Sequence, residues 1–470
     1  MPSSLKRLVI FGLAILVMMN GMVAPASGKS REEKKQTVQL FTDPETTDLL
    51  DELAVPILSA SGMPSEQVRF HVMLDNALNA FALPNNHIVF HSRLLLSVND
   101  REELTSVMAH EIAHLAAGHH VKLQESSKYI SISSLVASAV GMAAGLATKN
   151  PEISQASMIG GMAAGTSSML AVVREKETQA DQLAVHYMAK AGYDAHGLIA
   201  FMDRISKEQR LTPIPPPYLL THPLGSQRVD EARDMVQRIR TTSKLPDGGT
   251  NQRIKRMQAK LEAATASDPH EAANKFRERL KKQPKNFELR YGLAMADRYG
   301  GNLAESEQLL TTLLKESGGA DPFILRERAM GRLENGQLKT ALEDMEAALQ
   351  KKPDNPDFQY RKAFILKESG QLESSSRILR RLTQVHENYP DALYLFGTVE
   401  GELGRMGSSH LALARYNRLH QELEAAVYHY RQAVKDTPSD SVDHAQAEEE
   451  LKILMEELNR SFFQFKRQRR

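Results

Sequence analysis

The stretch Val107–His120, "VMAHEIAHLAAGHH", sets four histidines and one glutamate in an otherwise apolar segment. A helix returns residues i and i+4 to one face about 6 Å apart, so His110 and His114 would aim two imidazoles at one point. Two convergent imidazoles are half of what a zinc ion needs. Glu111 falls on the adjoining flank, where it can take a proton from water held at the metal. Zinc lowers the pKa of that water toward ~7, so a carboxylate suffices as the base. The alternative, a core histidine pair, carries a desolvation cost unless each ring finds a partner. A catalytic site also needs a third protein ligand. Cysteine is absent from the 470 residues, so that ligand must be His, Asp or Glu. "EKETQAD" offers Glu177 and Asp181 on one helical face, whereas Glu175, six residues from Asp181, falls off it.

These residues need a scaffold. Apolar spacing predicts a helix from about Asp43 to Gly62. "QVRFHVMLD", "NAFAL" and "HIVFH" read as short strands, with "PNN" as a tight turn between the last two. The long helix that carries His110 follows, capped by Asn99 or Asp100 with acidic residues in its first turn. Two uncharged stretches come next, Ile130–Thr148 and Ile153–Val173. Their Ala, Gly, Ser and Met content favours buried helices beside the active site over membrane spans. A helical pair dipping into a membrane surface, as a peripheral contact, stays open. "VVREKETQADQLAVHYMAKAGYD" is a further amphipathic helix, and "TPIPPPYLLTHPLGSQRVDEARDMV" is a Pro-rich loop leading into another. "TTSKLPDGGTNQ" has linker composition and puts a boundary near residue 245.

Charge is balanced, 59 Lys+Arg against 58 Asp+Glu, which gives no nucleic-acid footprint; the basic "FKRQRR" end reads as solvated. At the N-terminus Lys6 and Arg7 precede "LVIFGLAILVMMNGMV" and then "APASGK". That order is a Sec-type signal peptide with cleavage near Ala26, which predicts an exported protein and a periplasmic location. Past residue 245 a repeat appears. Pro322, Pro356 and Pro390 stand 34 residues apart, and "GNL", "GQL", "GQL" recur at Gly301, Gly336 and Gly370. Each unit reads as two amphipathic helices with Gly at the turn, a layout that resembles tetratricopeptide repeats. The last unit carries an insertion around Arg405–Tyr416. Such hairpins must stack, because one alone cannot bury its apolar face.

Taken in order, Asn79-Ala80-Phe81-Ala82-Leu83-Pro84, His110-Glu111-Ile112-Ala113-His114 with His119, Glu177-Thr178-Gln179-Ala180-Asp181, and His222-Pro223 with Arg228 resemble the motifs of a known zinc metallopeptidase family. It includes the CAAX prenyl protease and the heat-shock protease HtpX. The likeness covers residues 40–240; with leader and repeats, the whole chain resembles periplasmic members that act in β-barrel assembly. It implies one Zn2+ per chain on His110, His114 and Glu177, with Glu111 as general base. It further implies Asp181 and His119 as supports for the ligand rings, and Arg228 as a catalytic cation stabilising the oxyanion. By resemblance to one relative, His222 would hold the fourth metal position, displacing water and keeping the site latent until its loop moves. "PNN" departs from the family's usual Pro-Gly-Gly. The strand His87, Ile88, Val89, Phe90 is expected as an edge on which an extended substrate pairs, against the alternative that it serves only the core.

The resulting expectation is an α+β zincin-type metallopeptidase domain at 40–245, mostly helical with a small β-sheet, behind a signal peptide at 1–26. An all-α tetratricopeptide-like solenoid follows at 265–460. The function implied is an exported zinc metalloendopeptidase with a chaperone-like scaffold, degrading or assisting misassembled outer-membrane β-barrel proteins. Its partners would be unfolded envelope proteins and, through the repeats, the outer-membrane β-barrel assembly machinery. The rival reading is a periplasmic assembly chaperone whose metal centre is latent or structural.

Overall fold

The computed structural model describes residues 39–119, 172–211, 218–219, 222–239 and 245–468. Two compact units emerge, one spanning Gln39–Ser267 and one from Asp268 onward. The uncharged stretches Ile130–Thr148 and Ile153–Ala171, the leader at 1–26 and most of the Pro-rich loop lie outside the described residues. Among the described residues no helix is long and apolar enough to cross a membrane.

The first unit opens on helix α1 (Pro44–Ser61), started by Asp43, whose carboxylate accepts from the Thr46 N–H at 2.9 Å, and stopped at Gly62 with φ 77°. Strands β1 (Arg69–Met73), β2 (Ala80–Leu83) and β3 (His87–His91) follow. The β2–β3 hairpin turns through Asn85 and Asn86, both at φ 62°, a left-handed conformation that asparagine accepts, so the turn survives without glycine. Sheet order is β1-β3-β2, with β1 parallel and β2 antiparallel to β3. This overturns the expected edge: His87, Ile88, Val89 and Phe90 form the central strand, and their main-chain groups face a neighbour on each side. Periodicity shows that a segment is extended but not which strand lies beside it. A parallel partner reached by a crossover is invisible to spacing. Among the described strands β2 has no neighbour on its outer side.

Helices α2 (Ser92–Ser97) and α3 (Arg101–Ala116) follow the sheet. Asp100 is the cap of α3, accepting from the Glu103 N–H at 3.0 Å, while Glu103 reaches back to the Asn99 N–H at 2.9 Å. Every residue of α3 from Glu103 to Leu115 is buried. It packs against α1, β2 and α5 (His196–Leu211). Helix α4 (172–191) and helix α6 (Ser226–Ile239) complete the surroundings of the site. The core joins Leu49, Ile57, Phe90, Val107, Ile112 and Phe201, each such side chain stabilising by ~1.5–3 kcal/mol. Helix α7 (Thr250–Thr265) also belongs to this unit, past the composition break near residue 245. Buried ion pairs Lys260–Asp43 and Arg256–Glu45 fasten it to the start of α1. Gln258 donates to the carbonyls of Leu95 and Val98 at 2.9 and 2.7 Å.

The second unit is helical throughout: α8 (Pro269–Lys282), α9 (Phe287–Tyr299), α10 (Leu303–Glu316), α11 (Pro322–Glu334), α12 (Leu338–Lys351), α13 (Pro356–Glu368), α14 (Leu372–Val385), α15 (Pro390–Glu402), α16 (Met406–Leu419), α17 (Leu423–Asp436) and α18 (Val442–Gln468). Consecutive helices pack in antiparallel pairs, the arrangement of a solenoid. Pro322, Pro356 and Pro390 each open a helix, where a missing N–H costs nothing. Gly336 and Gly370 make the turn inside a pair at φ 75° and 73°. The expected insertion around Arg405–Tyr416 is absent: α16 is the regular second helix of the unit that Pro390 opens, and Gly404 makes its turn at φ 76°, 34 residues after Gly370.

Candidate metal centre

Because α3 is an unbroken helix, His110 and His114 stack one turn apart, with Nε2 atoms 3.0 Å from each other. Helix α4 delivers Glu177, whose carboxylate oxygens lie 3.3 Å from His110 Nε2 and 3.3 Å from His114 Nε2. Just ahead of α6, His222 brings Nδ1 to 3.3 Å from His110 Nε2 and 3.1 Å from Glu177 Oε2. One ligand atom from each of these four buried residues falls within 4.8 Å of all the others. Three imidazole nitrogens and a carboxylate thus face one small space. Hydrogen bonding alone satisfies such a set poorly, since each nitrogen–nitrogen contact needs a proton of its own. A cation at the common focus satisfies all four, and a set of three nitrogens and one carboxylate suits zinc. Glu175, the rival ligand, is exposed.

The supports are equally specific. Asp181, one turn beyond Glu177, meets His110 Nδ1 at 3.0 Å, which directs Nε2 of that ring into the site. His119 Nδ1 lies 2.9 Å from His114 Nδ1, and its Nε2 lies 3.0 Å from Gln179 Oε1. Burial lowers the pKa of His110, but hydrogen bonds to Asp181 and Glu177 together outweigh it and hold the ring at about 10. Burial depresses His114 to about 3, with Glu177 opposing. Glu177 is pulled well below the usual carboxylate range: burial raises it, and the three histidines overcome that. Glu111 is fully buried, and neither of its oxygens makes a well-formed hydrogen bond among the described residues. Burial raises its pKa against the pull of His222 and His110. Its carboxylate is 3.5 Å from His222 Nε2.

Arg228 departs from the expected oxyanion role. Its Nε–H and Nη2–H donate to Asp181 at 2.6 and 2.9 Å, and Nη1–H donates to Glu177 at 3.0 Å and to the Pro223 carbonyl at 2.7 Å. A guanidinium held by two carboxylates and a carbonyl positions the ligands; it is not poised for a developing charge. The reason is the i,i+4 spacing of Glu177 and Asp181, which presents both carboxylates to one fork. The residue that sequence reasoning passed over is Tyr218. It is buried, with its ring 4.6 Å from that of His222 at 28°. The signal was available in the four-residue spacing to His222, because the His222 N–H bonds the Tyr218 carbonyl at 2.7 Å.

Comparison with known proteins agrees with this geometry. Residues 42–236 match the model of Peptidase family M48, and residues 261–322 and 332–397 match tetratricopeptide repeat models. A protein of Vibrio cholerae named "Putative beta-barrel assembly-enhancing protease" is 29% identical over 280 residues, 59% of this chain and 57% of that one. The "Beta-barrel assembly-enhancing protease" of Escherichia coli K12 is 27% identical over 201 residues, 43% of this chain and 41% of that one. The "Mitochondrial metalloendopeptidase OMA1" of Schizosaccharomyces pombe is 23% identical over 43% of this chain and 56% of its own length. The chain thus spans about half the length of the curated relatives it matches. Its first unit is a Peptidase family M48 metallopeptidase domain, and tetratricopeptide repeats follow it.

Proposed function

We propose that the chain is an exported zinc metalloendopeptidase of the periplasm, whose repeats serve as a chaperone-like scaffold for misassembled outer-membrane β-barrel proteins. The observation that carries the reading is the convergence of His110, His114, Glu177 and His222 beside a fully buried Glu111. A zinc ion on those ligands supplies Lewis acidity toward water and the scissile carbonyl. Glu111 accepts the proton of the attacking water and returns it to the departing amine. Asp181 and His119 keep the two ligand rings in one tautomer and orientation, and Arg228 keeps Asp181 and Glu177 ionised. The side of β2 that has no strand neighbour among the described residues, on a strand that packs against α3, suits an extended substrate pairing through its main chain. Such pairing reads little side-chain identity, which fits a protease for unfolded chains. His222 fills a fourth ligand position, so in this arrangement the site is latent and opens when His222 withdraws. The names of the relatives support β-barrel proteins and their assembly machinery as clients and partners, and the leader supports export.

A scaffold with a latent or structural metal centre is the competing reading, favoured by His222 in the ligand set. Cleavage of an unfolded outer-membrane β-barrel protein separates the two. The wild-type chain should cleave it, while Glu111→Gln and chelation should each abolish cleavage. If neither chain cleaves and both assist assembly equally, the peptidase reading fails and the scaffold replaces it.

A further inference from the structure

We propose that Tyr218 is a positioning residue that clamps His222 in the ligand set; this rests on the reading of His222 as a fourth ligand. The Tyr218 ring is held between two aromatic neighbours. It stacks on His222 at 4.6 Å and 28°, and meets Phe201 of α5 edge-on at 5.4 Å and 89°. Its main chain is tied at both ends. The Tyr218 N–H donates to the carbonyl of buried Leu78, just ahead of β2, at 3.0 Å, and the Tyr218 carbonyl accepts from the His222 N–H. The clamp is therefore anchored to the sheet and to α5, not only to its own segment.

The space behind the pair sharpens the inference. The cavity bounded by Leu198, Phe201, Met202, Tyr218, His222 and Leu224 has room for one water at most, about 10 Å³. An imidazole cannot retreat into it. On this side, among the described residues, His222 leaves Glu177 and His110 by sliding off the Tyr218 ring or by carrying Tyr218 with it. Arg228 bounds the same cavity and is fixed by Asp181 and Glu177. Loss of the stacked contact should favour the withdrawn state of His222 by about 2- to 12-fold, the range of one aromatic pair.

The test uses the whole chain as Tyr218→Leu, Tyr218→Phe, His222→Ala and the Tyr218→Leu/His222→Ala double variant, each loaded with Co2+. The visible d–d band reports the ligand set, the rate of Co2+ transfer to a chelator reports how firmly it is held, and unfolded casein gives kcat and KM. Leucine preserves burial without a ring. Its band should shift toward that of His222→Ala, Co2+ should leave about 2- to 12-fold faster, and kcat should rise with KM little changed. Tyr218→Phe keeps the ring and should retain the wild-type band. The double variant should go no further than His222→Ala alone. A Tyr218→Leu band identical to wild type, or additivity in the double variant, overturns the proposal. An unchanged band in His222→Ala sinks instead the reading of His222 as a ligand. Should the leucine variant not fold, Tyr218→Met, also ringless, takes its place in the same comparison.

Discussion

Replacing Arg228 by methionine keeps the length of the side chain but removes a guanidinium that serves both Asp181 and Glu177. Arg228 is 7% exposed, and Asp181 and Glu177 are 1% and 2% exposed, so water cannot take its place. Removing one partner of a buried pair costs about 3–5 kcal/mol, chiefly the penalty of the stranded charge. Two carboxylates lose three hydrogen bonds here, which puts the loss at about 4 kcal/mol. For a unit spanning residues 39–267, that should lower the melting temperature by about 8–16 °C. Calorimetry of chelated protein is the assay, because a bound cation would mask part of the stranded charge. Tetratricopeptide helices form a separate unit and provide an internal reference transition. Arg228→Lys retains the charge but not the fork, and should fall between the two. A methionine variant that melts with wild type and loses only kcat would show instead that Arg228 serves the oxyanion.

Other outcomes follow from the same contacts. Asp181→Asn removes the anionic partner of His110 Nδ1 and should weaken metal affinity by about 10–100-fold, read by chelator competition. In metal-free protein the folded pKa of His110, about 10, stands above its ordinary 6.5. The stabilisation it contributes is complete below pH 6.5 and is lost as pH rises through 10. Melting temperatures of the chelated chain should decline across that window, and His110→Gln should remove the decline. Gly197, at the start of α5, lies so close to α3 that an added Cβ would meet the Glu102 carbonyl oxygen at 2.1 Å. Gly197→Ala should therefore destabilise the first unit by about 1–3 kcal/mol through forced backbone shifts, visible in the same calorimetry.

How much could be read in advance depends on how local the cause was. The i,i+4 pairs His110/His114 and Glu177/Asp181 sit on helices, where spacing alone decides the shared face, and the structure brings all four together. The prolines and glycines of the repeats act through their own φ angles, so helix starts and turns were equally visible. His222 and Arg228 lie far along the chain from His110, and only resemblance to a family pointed to them. The errors were tertiary in origin. Strand order depends on a parallel pairing between β1 and β3 that no periodicity encodes. The engagement of Arg228 depends on which carboxylates surround it once α4 and α6 meet. Helix α7 follows a stretch of linker composition, yet buried Arg256 and Lys260 find Glu45 and Asp43 at the start of α1, some 200 residues earlier.

Metal analysis of the purified chain decides whether His110, His114, Glu177 and His222 build a zinc site. Elemental analysis of protein prepared without added metal should find one zinc per chain in wild type. Zinc should be lost in Glu177→Ala and in His110→Ala/His114→Ala. Wild-type protein that is correctly folded and carries no stoichiometric transition metal would contradict a zinc site there, as would undiminished zinc in the ligand variants.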